Sequence, residues 1–318
     1  MEIINNPTHA DIKKAAQALK DGHLVAFPTE TVYGLGADAT NEKAVSRVYS
    51  VKARPTDHPL IVHISSINQL GKWAVDIPEY AIKLAEEFWP GPMTLILKKS
   101  QIARDFITGG QNNVGLRVPA QPVALALLKE FEKLGGSGIA APSANRFGAV
   151  SPTTAAAVQE EIGKYLDPKD FLLDGGASLV GIESTIIGCT SEIPLILRPG
   201  AITADMVKAS IKIVPSVSAS NSSIRVSGML PTHYAPNAKV QITGNTKSGD
   251  GFIALSSIPT PAGAVRLAAP NNLEEFAKIL YSAFRAADIH GLSTISVIPP
   301  NGDGIALAIR DRLIKASG

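Results

Sequence analysis

The chain has 318 residues, 45% hydrophobic and 18% charged, with 30 lysines and arginines against 28 aspartates and glutamates. This content excludes a disordered chain and supplies apolar mass for two domains, and a net charge of +2 is not that of a dedicated nucleic-acid coat. The single cysteine, Cys189, excludes an intrachain disulfide and a cysteine-based metal site.

The N-terminal segment lacks a basic flank and a long apolar run, so it is not expected to be a signal peptide. Thr8 to Asp11 has the capping-box pattern, and Ile12, Ala15, Ala16 and Leu19 make one apolar face before Gly22. That spacing predicts a three-turn helix. Leu24 to Phe27 reads as a strand broken by Pro28, and Asn41 opens a second helix through Ala44, Val45 and Val48. Leu60 to Ile64 is strand-like, and Glu79 to Trp89 is helical until Pro90-Gly91-Pro92.

Further strands are expected at 93–97, 114–118, 138–141, 171–173, 184–188 and 195–197, with helices at 122–134, 153–163 and 203–211. Alternation of short strands and helices predicts α/β, and strands that follow one another without a helix predict a mixed sheet. After Ile213 the Ser-rich run to Ser227 reads as a linker ending in GMLPTHYAP. A small α/β unit follows, with strands near 239–243, 252–256 and 294–298 and helices near 272–288 and 304–316. No uninterrupted apolar stretch approaches the ~18 residues of a membrane span, so a soluble, cytoplasmic protein is expected.

Two segments carry the most chemistry. Lys52 and Arg54, placed in a loop before an apolar run, can offer a point charge and a planar fork to a polyanion; a solvated pair is the alternative. About ninety residues later, Ser143 and Asn145 follow another apolar run and can hold a nucleoside or hydroxyl-bearing substrate. Thr29, Glu30, Thr31 and Tyr33 precede Gly34 and Gly36, either as a substrate-holding loop or as a strand-to-helix turn. Neither a dinucleotide fingerprint nor a GxxxxGK[ST] loop is present. His58 and His63 make a poor zinc pair, and His63 inside an apolar strand reads as a core histidine. Arg117 in VGLRVP needs a partner, which is either a substrate carboxylate or an internal acid. Arg198 repeats the pattern at a strand end, while Ser184 lacks a GxSxG elbow.

Taken in order, PTETVYGLG (28–36), KARP (52–55), HPLIVH (58–63), FWPGPMT (88–94), VGLRVP (114–119), APSAN (141–145), SPT (151–153), GIESTI (181–186), LRPGAIT (197–203) and HYAP (233–236) resemble the threonylcarbamoyl-AMP synthase family. The resemblance implies an α/β fold with a twisted mixed parallel/antiparallel sheet and flanking helices (YrdC-like), plus a smaller Rossmann-like α/β C-terminal domain. Its boundaries are 1–211 for the catalytic domain, 212–236 for a linker that folds back as a lid, and 237–318 for the small domain.

The implied reaction joins L-threonine, bicarbonate (or CO2) and ATP into L-threonylcarbamoyl-AMP and pyrophosphate, for later N6-threonylcarbamoyladenosine formation beside the tRNA anticodon. The implied threonine site is Thr31, His63, Arg117, Ala141 (through its backbone) and Ser184. Arg54, His58, Asn113, Ser143, Ser151, Arg198 and Tyr234 would surround ATP. Lys52, Arg54, Ser143 and Asn145 complete the catalytic signatures, neutralising phosphate charge or positioning oxygens bound to Mg2+ brought with ATP. No protein metal site is implied, and the partners are tRNA, transiently, and downstream threonylcarbamoyl-transferase proteins. His58 and Asn113 depart from the usual family residues. A non-catalytic double-stranded RNA or tRNA-binding protein is the rival reading, disfavoured by the small net charge and the lack of an aromatic-interleaved basic stripe.

Overall fold

A computed structural model describes residues 1–217, 224–228, 232–242 and 245–318. Among these, the larger part is a mixed sheet of β1 (Glu2–Asn5), β2 (Val25–Phe27), β3 (Gly34–Asp38), β4 (Ile61–His63), β5 (Met93–Lys98), β6 (Asn113–Arg117), β7 (Ile139–Ala140), β8 (Phe171–Asp174), β9 (Thr185–Gly188), β10 (Leu195–Arg198) and β11 (Ser216–Val217). Their order across the sheet is β1-β8-β2-β3-β7-β4-β6-β5-β9-β10-β11. The helices are α1 (His9–Lys20), α2 (Glu42–Lys52), α3 (Leu70–Trp73), α4 (Glu79–Phe88), α5 (Asp105–Thr108), α6 (Pro122–Lys133), α7 (Ala155–Ile162) and α8 (Ala204–Ile211).

Side-chain alternation along the strands splits the core in two. Val25 and Phe27 point to one face, where Ile12 and Leu19 of α1 and Leu127 and Phe131 of α6 cover them. Ala26 points to the other, into a cluster with Val45 and Val48 of α2 and Leu84 of α4. The Thr8 hydroxyl caps α1 in a capping box with Asp11, as the sequence predicts.

Two local readings need correction. The segment after Tyr33 does not enter a helix; it turns back as β3, antiparallel to β2. Its glycines hide the strand signal yet suit it, since a Cβ on Gly36 would sit 2.7 Å from Ile139 and 2.8 Å from Phe27. Lys52 is not in a loop but is the last residue of α2, and Ala53 stops the helix with a left-handed φ of 49°. That turn swings Arg54 away from the helix axis. β1 escapes sequence reading because it is a mostly exposed edge strand with little apolar pattern.

The smaller part has β12 (Lys239–Gln241), β13 (Gly251–Ile253), β14 (Val265–Ala268) and β15 (Thr294–Val297), all parallel in the order β12-β15-β13-β14. With α9 (Leu273–Ile289) and α10 (Ile305–Ser317) it packs around Phe276, Tyr281 and Ile309 in an apolar cluster that also takes in Val32, Val150 and Ile182 of the larger part. The architecture is α/β with a mixed sheet, as expected. Of the segment expected as linker and lid, residues 218–223 and 229–231 lie outside the described residues, as does Thr243 at the end of an expected strand.

The two parts pack tightly. Gly181 has φ +82°, and a Cβ there would meet the backbone of α9 at 2.3 Å, at Lys278 Cα. Gly181→Ala is therefore expected to destabilise the protein by about 2 kcal/mol or more. The check is chemical unfolding, where an unchanged midpoint would contradict the close approach. No helix among the described residues is long and apolar enough to cross a membrane.

Candidate active site

A cleft is lined by segments brought together from across the chain: the β2–β3 loop, the turn after α2, the ends of β4, β6 and β10, the segment after β7, and residues 227–228 and 233–234. Of the residues singled out from sequence, Thr31, Arg54, His63, Arg117, Ala141, Ser143, Ser184, Arg198 and Tyr234 all line it. Parallel pairing of β4 with β6 sets His63 directly beside Arg117.

The Arg117 end is an ion-pair pocket. Arg117 Nη2 donates to Glu30 Oε1 (2.6 Å), Nη1 to Thr31 Oγ1 (2.9 Å) and Nε to the Gly91 carbonyl (3.2 Å). Glu30 Oε2 also accepts from the Ala120 N–H at 3.0 Å. The internal partner left open by the sequence is thus Glu30. A guanidinium carries five N–H bonds, so Arg117 retains donors for a further carboxylate.

His63 Nδ1 is buried with no hydrogen-bond partner. Burial, reinforced by the Arg117 cation, pushes His63 down to about 3, so it is neutral near pH 7. The Ala141 N–H donates to the Ile61 carbonyl (3.0 Å), so a backbone contact from Ala141 runs through its own carbonyl.

The other end is cationic. Arg54 is almost fully buried, makes no carboxylate salt bridge among the described residues, and its Nε lacks a partner. Burial lowers it to about 10. Its Nη2 reaches the Pro59 carbonyl and Ser227 Oγ, both at 3.1 Å. Arg198 Nη1 donates to the Ser227 carbonyl at 3.0 Å, and its Nε and Nη2 grip the Ser184 carbonyl at 3.1 and 2.9 Å. Ser227 therefore bridges both cations. The free volume is about 50 Å³, far below the 300–1,000 Å³ of typical ligand pockets, so the cleft is narrow.

Five residues singled out from sequence do not line the cleft. The Lys52 ammonium is buried and donates to the carbonyls of Ser143 (2.6 Å) and Asn145, tying α2 to the segment after β7. Burial, with Arg54 nearby, holds it well below the usual lysine range. Asn145 uses its amide N–H groups on the Arg146 and Ala149 carbonyls, which leaves Oδ1 buried without a partner. Ser151 is buried behind the wall, donating to Glu183 Oε1 at 2.6 Å. His58 packs edge-on against Phe147, centroids 5.2 Å apart. Asn113 sits four residues before Arg117 on β6, roughly 13 Å away at strand rise, and lines an adjacent pocket.

Sequence reasoning passed over Glu183 as a structural hub. Ser151, Tyr281 and Arg312 all donate to its carboxylate, the last at 2.8 Å. Burial pushes Glu183 up, but the Arg312 and Arg198 cations and the hydrogen bonds outweigh it and hold it at about 2. His233, buried among Lys52, Arg54 and Arg198, is down at about 3 despite Glu183.

Both histidines thus bind protons less readily folded than unfolded. Stability is full above the unfolded histidine value of 6.5 and is lost as pH falls from 6.5 toward 3, with Glu183 adding a loss between 4.5 and 2. The urea midpoint is expected to be lower at about pH 5 than at about pH 7.5; equal midpoints would contradict this.

No group of three or more His, Cys, Asp or Glu among the described residues is arranged to hold a metal. The carboxylates near the cleft, Glu30 and Glu183, are already engaged by arginines. What remains in the cleft for a hard cation is neutral oxygen, such as the hydroxyls of Thr31 and Ser143, and this suits an ion carried on a phosphate ligand better than one caged by protein.

The family described as "Telomere recombination", which groups Sua5, YciO and YrdC, matches residues 17–200. The one described as "Threonylcarbamoyl-AMP synthase, C-terminal domain" matches residues 202–318. The threonylcarbamoyl-AMP synthase of Pyrococcus abyssi is 39% identical over 96% of this chain and 94% of that protein. The Bacillus subtilis protein of the same name is 38% identical over 96% and 93%. The crystal structure of P. abyssi Sua5 complexed with L-threonine superposes with a TM-score of 0.90 at 37% identity, covering 100% of this chain and 98% of that one. The chain belongs to the threonylcarbamoyl-AMP synthase family.

Proposed function

We propose that the protein makes L-threonylcarbamoyl-AMP and pyrophosphate from L-threonine, bicarbonate and ATP. The observation that carries this is one narrow cleft with a carboxylate-binding arginine at one end and two arginines suited to phosphate at the other. A P. abyssi relative of nearly the same length is a threonine complex. Threonine's carboxylate fits the free donors of Arg117, with Thr31, His63, the Ala141 carbonyl and Ser184 around its remaining polar groups. Arg54, Ser143, Arg198 and Tyr234 face the nucleotide.

In the reaction, the amine of threonine and bicarbonate form an N-carboxylate with loss of water. A carboxylate oxygen then attacks the α-phosphorus of ATP, and the bond from that phosphorus to the bridging β-phosphate oxygen breaks as pyrophosphate leaves. No side chain need form a covalent bond; the protein aligns a weak nucleophile and neutralises phosphate charge. Mg2+ would enter on the phosphates and share in that neutralisation. Arg54 and Arg198 are held by Ser227 in the narrow cleft, so phosphate binding replaces Ser227 on both. Ser227, Gly228, His233 and Tyr234 then act as a lid that keeps water from a hydrolysable mixed anhydride.

On this reading the protein works in the cytoplasm and passes its product to a threonylcarbamoyl-transferase that modifies tRNA. The test is pyrophosphate release without tRNA. Release that needs threonine, bicarbonate and ATP together supports the reading; salt-sensitive tRNA binding without turnover would favour the RNA-binding alternative.

A further inference from the structure

The smaller part lends the cleft a buried arginine that no sequence motif announces. Arg312 of α10 is fully buried, with its Nε on Glu183 Oε2 (2.8 Å) and its Nη2 on the Pro199 carbonyl (3.1 Å). Its Nη1 donates to Asp311 at 2.5 Å, and its guanidinium lies 5.4 Å from the centre of the Tyr234 ring. Tyr281 of α9 adds its hydroxyl to Glu183 at 2.9 Å and stacks on Tyr234, centroids 5.8 Å apart.

Apart from Asp311, each of these partners is a cleft residue or sits next to one. Glu183 precedes Ser184, Pro199 follows Arg198, and Tyr234 is part of the cleft wall. Arg198 and Ser184 are themselves joined by three hydrogen bonds. One guanidinium therefore fixes three elements that face the reactants. Core continuity supports this: Tyr234, Ile182 and Val150 are packed in the same apolar cluster as Phe276 and Ile309.

We propose that Arg312, seconded by Tyr281, is a positioning residue for the adenylation, through which the C-terminal part sets Ser184, Arg198 and Tyr234. Charge explains why an arginine is used. Without it, Arg198 is the remaining arginine acting on the Glu183 carboxylate, which draws it away from Ser227 and the cleft. The nucleotide side is thereby disturbed first; on the threonine side only Ser184 is touched, while Arg117, which holds the carboxylate, stands on a different strand and keeps Glu30 and Thr31 as partners.

This inference rests on the synthase reading, so the experiment has two separate readouts. In Arg312→Met, kcat/KM for ATP is expected to fall about a hundredfold, while L-threonine affinity by calorimetry changes by less than about threefold. Tyr281→Phe keeps the ring and removes only the hydroxyl; it is expected to give the same pattern at a loss of about fivefold, and serves if Arg312→Met does not fold. Independently of turnover, amide exchange in peptides covering 182–185, 198–200 and 233–235 is expected to speed up in either variant. Wild-type turnover in both variants, unchanged exchange, or a proportional loss of threonine affinity would overturn the proposal. Absence of product from the wild-type enzyme would instead count against the synthase reading, with the exchange result still deciding the positioning role.

Discussion

Arg117→Ala is expected to abolish product formation and to lower stability by about 3–5 kcal/mol, because removing one partner strands Glu30 as a buried, unpaired carboxylate. The two effects are separable. In Glu30→Gln/Arg117→Met the buried charges leave together, so most of the stability should return while threonine binding remains absent. Calorimetric titration with L-threonine alongside thermal unfolding checks both. Recovery of threonine binding in the double variant would mean that Arg117 serves the fold and not the substrate.

Arg54→Met is expected to behave in the opposite way toward stability. Arg54 is buried without a carboxylate, and burial already lowers its proton affinity to about 10, so its charge is held in the fold at a cost. An apolar side chain of similar length removes that cost, so stability should be unchanged or higher by about 1 kcal/mol. Activity should nevertheless fall at least about a hundredfold, since the proposed function sets this cation against the transferring phosphate. Arg54→Lys should recover little, because an ammonium lacks the planar fork that offers phosphate oxygens parallel N–H donors. Pyrophosphate release and urea unfolding on the same samples decide the matter; a strong loss of stability would show Arg54 to be structural. Two arginines of one cleft are thus distinguished by the sign of their effect on folding.

Much of the cleft was legible in the sequence because its residues sit in short stretches whose composition makes little sense for a core. Arg117 within an apolar strand and Arg198 at the end of another are examples. Where the structure places residues differently from their sequence pattern, the causes are local. Lys52 and Arg54 look alike as a KxR pair, but the left-handed turn at Ala53 sends Arg54 to the cleft and leaves Lys52 tying carbonyls behind it. Asn113 shares a strand with Arg117, yet strand rise carries it past the cleft. β3 was hidden by its glycines, of which Gly36 is required by close packing. Arg312 was not legible at all: in IALAIRDRLIKA it resembles a solvated helical charge, and only the approach of α10 to Glu183 reveals its burial.

The most direct measurement is mass analysis of the reaction of the wild-type protein with ATP, L-threonine and carbon-13-labelled bicarbonate. The account predicts an adenylate with the mass of threonylcarbamoyl-AMP, heavier by one labelled carbon, together with pyrophosphate, and neither when any substrate is left out. Formation of unlabelled threonyl-AMP, or ATP cleavage indifferent to threonine and bicarbonate, would contradict it.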